Sequence, residues 1–268
     1  MKLDPMADAA GVELITLEEI DSTNAQALRY GEAGLRGPLW VTAQTQTAGR
    51  GRRGRTWTSE PGNLHASLLL ADPAPLLRVV QCSFVAALAV RDTVCDVAPG
   101  LAARLSLKWP NDVLCEGRKL AGILIEGEGS NPLMVAIGIG INCRHHPGDA
   151  AYPATDLGAQ GAKVTAAEAF AALSRRMAQR LALWNGGARF ADIRAAWLAH
   201  GPVPGAGLRV RLADGDVTGS FETIDEDGNL VLMEAGGGLR KITAGDVFAL
   251  AAASGDAAPG SASRRRPA

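Results

Sequence analysis

Seven consecutive residues constrain this chain more than any others. Gly49 to Arg55 read Gly-Arg-Gly-Arg-Arg-Gly-Arg, four cations among three glycines. So much fixed charge cannot enter a core, and so much glycine cannot sustain a helix. The segment is therefore a loop, and the fold must be arranged around it. Glycine lets the backbone bend tightly and bring its N–H groups close to a ligand. Arginine adds planar, permanently charged donors that match phosphate and carboxylate oxygens. A loop of this kind suits a substrate that carries or acquires a phosphate.

Gly49-x-Gly51-x-x-Gly54 is also a literal dinucleotide-binding fingerprint. That fingerprint has meaning only after a strand and at the opening of a helix. Leu39 to Thr42 offers the strand, but Thr56 to Asn63 has no helical period and carries the breaker Pro61-Gly62. The dinucleotide reading is set aside. A nucleic-acid-binding basic loop is the other plain alternative. Lys and Arg total 27 against 28 Asp and Glu, so the chain has no general drive toward polyanions.

The 268 residues are 47% hydrophobic, enough for one large domain and one small one. No apolar run reaches the ~18 residues of a membrane span, and Met1-Lys2-Leu3-Asp4-Pro5 does not begin a signal peptide. Cys82, Cys95, Cys115 and Cys143 form no CxxC pair, so a reducing cytoplasm is the expected compartment. His145-His146 lacks neighbours at metal-site spacing and reads as a loop feature.

Residues 1–11 read as an N-terminal tail. Val12 to Leu17 reads as a strand, and Asp21-Ser22-Thr23-Asn24 supplies helix-capping side chains before Ala25. Leu64 to Leu70 has strand length. Leu76 to Val97 is Ala-rich and apolar on most faces, the pattern of a buried helix. Further strands are expected at Leu105 to Trp109, Leu120 to Glu126 and Leu133 to Ile141. Thr165-Ala166-Ala167-Glu168 is a capping box opening a helix to about Trp184, and a second helix runs from about Arg189 to His200. The texture changes near residue 204. Leu208 to Leu212, Val217 to Ile224, Leu230 to Met233 and Asp246 to Leu250 are short strands with Asp214-Gly215 and Asp227-Gly228 turns. The expected organisation is a domain over 12–203, a small β-barrel over 204–250 and a disordered tail over 251–268 that ends in Arg264-Arg265-Arg266.

Three more segments carry chemistry. Lys108-Trp109-Pro110-Asn111-Asp112 places an amide and a carboxylate where a strand meets a turn, though Asn-Asp after Pro is also a good turn by itself. Lys119 opens the apolar run Leu120 to Ile125. It either aims an ammonium into a cleft or marks a solvated strand edge. Ile137-Gly138-Ile139-Gly140-Ile141-Asn142 alternates glycine on one strand face, as if a flat ligand or another backbone lay against it.

Taken together, Ser22-Thr23-Asn24, Gln46, the Gly-Arg loop, Lys108 to Asp112, Lys119 to Ile123 and Gly138 to Asn142 resemble the biotin protein ligases in order and spacing. The resemblance covers roughly residues 12 to 250. It implies an α+β fold: a mixed, mostly antiparallel sheet flanked by helices, of the class II aminoacyl-tRNA synthetase and biotin ligase type, with a C-terminal SH3-like barrel. Larger members of that family begin with a winged-helix DNA-binding domain. This chain resembles the monofunctional type, with neither DNA nor membrane as an expected partner.

The activity implied is ATP-dependent. Biotin and ATP form biotinyl-5′-adenylate with Mg2+, and a lysine of a biotin carboxyl carrier domain then accepts the biotinyl group. The carrier belongs to a biotin-dependent carboxylase such as acetyl-CoA carboxylase, and the enzyme is a monomer or homodimer. By the same resemblance Ser22, Thr23, Asn24, Gln46, Arg50, Gly51, Arg52 and Lys119 bind biotin, with Arg52 and Lys119 as the catalytic pair. Arg53, Arg55, Trp57, Asn111, Asp112, Gly122 and Asn142 surround the nucleotide, and Asp112 is the candidate metal carboxylate. The rival enzyme reading is a lipoate–protein ligase or octanoyl transferase of the same fold.

Overall fold

The computed structural model of the protein describes residues 1–148 and 152–250. The tail expected from residue 251, with its arginine triplet, lies outside the described residues. Residues 1–11 are not a tail. Asp4 accepts from Met6 N and caps a short helix, α1 (Pro5–Ala9), with Pro5 at its first turn. The Asp4 carboxylate also meets Arg175 at 3.0 Å, and Ala7 is fully buried. These contacts hold the N-terminus against a later helix, which no local pattern announces.

The large unit is a seven-stranded sheet in the order β1-β2-β3-β7-β6-β5-β4. β1 (Glu13–Ile20) and β2 (Leu39–Gln46) run parallel, joined by α2 (Thr23–Glu32), which Ser22 caps by accepting from Ala25 N. Every other pairing is antiparallel, through β3 (Leu64–Ala71), β4 (Leu105–Lys108), β5 (Asp112–Cys115), β6 (Arg118–Glu128) and β7 (Met134–Ile141). α3 (Cys82–Val97) and α4 (Ala166–Trp184) pack together on one side, and Phe170 of α4 meets Trp40 of β2 edge-on at 5.5 Å. The Thr165–Glu168 capping box forms as the sequence predicts. The helix expected from Leu76 begins only at Cys82. Leu76–Gln81 is a 3-10 segment after Pro75 in which Leu76, Leu77 and Val80 are exposed and only Val79 joins the core that α3 enters, so its apolar residues do not continue the buried face of α3.

α5 (Phe190–Leu198) leads to the second unit, an antiparallel sheet in the order β11-β10-β9-β8-β12. Its strands are β8 (Gly207–Arg211), β9 (Asp216–Ile224), β10 (Leu230–Met233), β11 (Leu239–Ile242) and β12 (Asp246–Ala249). β11 escapes a reading by hydrophobic pattern because Leu239, Arg240 and Lys241 are exposed and only Ile242 is buried. The two units share one core. Phe84 packs edge-on against Phe190 and Trp197, each at 5.5 Å, and would clash with a side chain at Gly228. Trp109 Nε1 donates to the Gly228 carbonyl at 3.0 Å. This docking brings the β8–β12 edge over the open face of the large sheet.

Candidate active site

The Gly-Arg segment is a folded hairpin. Gly51 N donates to Arg55 O at 2.6 Å, Trp57 N donates to Gly49 O at 2.9 Å, and Arg50 bridges Thr56. Arg53 (φ 57) and Gly54 (φ 71) make its left-handed turn, and no helix opens on Gly54 as a dinucleotide site would need. Gly49 is required by crowding, since a Cβ there would lie 2.6 Å from the Trp57 carbonyl oxygen.

The hairpin arches over a cavity of about 640 Å³, and every residue expected at the biotin or nucleotide site lines it. One end is a chain of short polar groups. Thr23 donates to Gln46 Oε1 through its backbone N at 2.9 Å and its hydroxyl at 3.1 Å, while Gln46 Nε2 donates to Ser59 Oγ at 2.8 Å. The Ser67 hydroxyl lies 2.6 Å from Asn24 Oδ1 and 2.7 Å from Thr23 Oγ1. Asn24 Nδ2 donates to Glu126 at 2.8 Å, and Glu126 also pairs with Arg50 at 3.0 Å. Three of these side chains, Thr23, Asn24 and Ser67, are buried. Such a set is fixed before any ligand arrives.

The face between the two ends is almost bare of side chains. A Cβ on Gly138 would lie 2.5 Å from Asn24 Oδ1, and one on Gly140 would lie 2.4 Å from Trp57 Cζ2. On Gly122 it would lie 2.9 Å from Trp57 Cζ3. The flat body anticipated against the alternating glycines is thus the protein's own indole, together with the Asn24 amide. Trp57 Nε1 is buried and makes no hydrogen bond among the described residues, which leaves a donor at the cavity wall.

The other end is ionic. Asp112 sits between Lys119 Nζ at 2.6 Å and Lys108 Nζ at 3.0 Å. Burial pushes the Asp112 carboxyl up, yet Lys119 and Lys108 together hold it below its ordinary value; burial pulls Lys108 down. Arg52 donates to Asn111 Oδ1 at 3.3 Å and to the Gly245 carbonyl at 3.2 Å. Arg53 and Arg55 both reach Asp246, at 3.6 and 2.7 Å. The hairpin is therefore fastened to the C-terminal sheet.

Some expected ligands are engaged within the protein. Asn142 Nδ2 donates to Thr155 O at 3.0 Å, Thr155 N in turn donates to Lys119 O at 2.9 Å, and Asn111 Nδ2 donates to Ile123 O at 2.6 Å. Asp112 does not fit a metal in this arrangement, because both its oxygens face ammonium groups. Among the described residues no three His, Cys, Asp or Glu gather as a metal site. Sequence reasoning missed Ser67, Glu126, Tyr152, Asp246 and Phe248, and it named Lys108 within its motif without giving it a role. His65 and Ser67 alternate within the apolar run Leu64 to Leu70, a period-two signal that was there to find. Asp246 and Phe248 reach the site only through the docking of the second sheet.

This combination, an α+β sheet with a cationic hairpin and a small C-terminal β unit, defines a class. Residues 17–142 match the biotin/lipoate A/B protein ligase family, and residues 207–250 match the biotin protein ligase C-terminal domain. The biotin–[acetyl-CoA-carboxylase] ligase of Paracoccus denitrificans is 42% identical over 240 residues, spanning 87% of this chain and 98% of that protein. The Mycobacterium tuberculosis enzyme of the same name is 34% identical over 247 residues, 89% of each. Among solved structures, the Aquifex aeolicus biotin protein ligase in complex with biotin and ATP superposes with a TM-score of 0.75 at 27% identity. That match covers 90% of this chain and 99% of the Aquifex chain. The chain belongs to the biotin protein ligase family. Among its described residues no helix is long and apolar enough to cross a membrane.

Proposed function

We propose that this protein couples biotin to one lysine of a biotin carboxyl carrier domain at the expense of ATP. In the first step a biotin carboxylate oxygen attacks the α-phosphorus of ATP. A P–O bond forms to biotin, the bond to pyrophosphate breaks, and biotinyl-5′-adenylate results. In the second step the carrier lysine amine attacks the acyl carbon, its proton leaves, and AMP departs.

The single observation that carries this reading is the polarity of one cavity. Short, pre-set hydrogen-bonding groups (Thr23, Asn24 and Gln46, braced by the buried Ser67) form one end, and cations with a buried carboxylate form the other. A compact urea suits the first end, where Ser22 caps the N-terminus of α2. The reacting anions suit the second, where Arg52 and Lys119 offset the repulsion of a carboxylate against a triphosphate, and Arg50 and Gly51 line the cavity from the hairpin. Arg53, Arg55, Trp57 and Gly122 line the nucleotide side, while Asn111 and Asn142 hold the strands that shape it. Magnesium enters as the counter-ion of the nucleotide, as part of the substrate, since Mg2+ is commonly carried on phosphates with few protein ligands. The carrier is the biotin domain of a carboxylase, acetyl-CoA carboxylase by the names of the relatives; four free cysteines suit a reducing cytoplasm as the compartment.

The test mixes protein, MgATP and either biotin or lipoate and follows pyrophosphate. Biotin-dependent release with no response to lipoate is the expected outcome. Release with lipoate alone would move the protein to the lipoate branch, and release with neither would end the ligase reading.

A further inference from the structure

Lys108 closes β4, yet the reading above gives it no part in the reaction. Its surroundings argue for one. Lys108 stands directly across from Asp112 in the β4–β5 register. The Asp112 carboxylate therefore carries two ammonium groups, Lys108 at 3.0 Å from Oδ2 and Lys119 at 2.6 Å from Oδ1. The three side chains differ in exposure: 9% for Asp112, 14% for Lys108 and 26% for Lys119.

Lys119 cannot serve developing charge on a substrate oxygen while it remains clasped to Asp112. Were it the only partner, its departure would strand a buried carboxylate without a counter-charge, a strongly unfavourable state. With Lys108 in place, Asp112 keeps one ammonium and the other is released. The structure also distinguishes the ion that stays from the ion that moves. Lys108 Nζ lies 3.6 Å from the centroid of the Tyr152 ring, and Tyr152 packs on Phe248 of β12 at 6.3 Å. Arg209 and Arg211 lie over Phe248 in turn, at 4.9 and 5.2 Å. Among the described residues the aromatic ring beneath Lys119 Nζ is Trp57, farther off at 5.4 Å.

We propose that Lys108 is a positioning residue for adenylate formation. It keeps Asp112 neutralised so that Lys119 can exchange that carboxylate for the reacting oxygens of the substrates. The proposal rests on the ligase reading. Lys108 forms no bond and moves no proton; only the partner of the Lys119 ammonium changes. The C-terminal sheet takes part through Phe248 and Tyr152, which fix Lys108 from its far side.

Single-turnover pyrophosphate release by the wild-type protein comes first. Its absence would overturn the ligase reading and this proposal with it, whereas the variant arms bear on the proposal alone. With biotin and MgATP saturating, Lys108→Met slows adenylate formation about 30-fold, while biotin affinity stays within about twofold. Lys108→Arg, which retains the charge, stays within about threefold of wild type. In an Asp112→Asn background there is no carboxylate to neutralise, so Lys108→Met costs less than about threefold. Three results would each overturn the proposal: a Met variant as fast as wild type, an equal loss in the Met and Arg variants, or a full loss that persists beside Asp112→Asn. Should Lys108→Met fail to fold, Lys108→Gln takes its place in the same comparisons.

Discussion

Trp57 lies so close to Gly140 that a Cβ on the glycine would sit 2.4 Å from the indole Cζ2. One residue along the same strand face, Gly138 stands in the same relation to Asn24. The bare strand thus seats two different side chains, one toward each end of the cavity. Gly140→Ala must displace the indole and Gly138→Ala must displace the amide. The expected result is about tenfold weaker nucleotide binding for Gly140→Ala and about tenfold weaker biotin binding for Gly138→Ala, with the other ligand little changed in each. Calorimetric titration of both ligands against both variants checks this. Equal losses for both ligands would show that the face does not divide the two substrates.

Ser67 is the residue on which the polar end closes. Removing its hydroxyl leaves Asn24 Oδ1 buried without that donor, at 3% residue exposure. Such an acceptor costs about 1–3 kcal/mol. Ser67→Ala is expected to weaken biotin binding about tenfold while leaving the rate of adenylate formation at saturating biotin nearly unchanged. A fall in that rate with unaltered biotin affinity would place Ser67 outside the biotin end.

Asp246 binds two arginines of the hairpin at once. Exposed pairs are individually weak, so loss of both should loosen the hairpin and not unfold it. A mixed anhydride beneath a loosened cover escapes and acylates bystander amines. Asp246→Ala is expected to raise labelling of a bystander protein about threefold, and Arg52→Gly to raise it further, since Arg52 spans Asn111 and Gly245. Adenylate half-life, measured on the isolated complex, should shorten in the same order. Unchanged half-lives in both variants would remove the hairpin's retaining role.

The C-terminal sheet has its own pH signature. Burial raises the Asp225 carboxyl, but hydrogen bonds from Lys241 and Asn229 outweigh it and hold the pKa at about 2, against an ordinary 3.8. A carboxylate with a depressed folded-state pKa contributes stability above its unfolded value and loses it as pH falls through the folded one. The contribution is therefore complete above about pH 4 and fades toward pH 2, at roughly 1–2 kcal/mol. Urea midpoints of wild type and Asp225→Asn should differ by a constant amount above pH 4 and converge below it. A gap that persists unchanged near pH 2 would assign the effect to something other than this charge.

The strand Leu64 to Ala71 and the Thr165 cap were legible because their information is local: apolar run length in one case, a side chain three residues from its acceptor in the other. The Gly-Arg hairpin was legible as a loop for the same reason, since its composition forbids helix and core alike. The alternation at Gly138 and Gly140 announced a flat occupant but could not say that Trp57 fills the place, because that contact joins residues more than eighty positions apart. Asn142 and Asn111 looked like ligands in sequence, and only the closed ladder shows their amides bonded to Thr155 and Ile123 carbonyls.

What the chain's own residues determined, then, was the list of side chains available to the site and the elements that bear them. Tertiary structure decided their pairing. Lys108 and Lys119 share one carboxylate because a hairpin register and a sheet neighbour converge on Asp112. Asp246 and Phe248 reach the cavity because Phe84, Trp109 and Gly228 dock a second sheet beside the first. Charge pairing acts over a few ångströms in space, and distance along the chain carries no record of it.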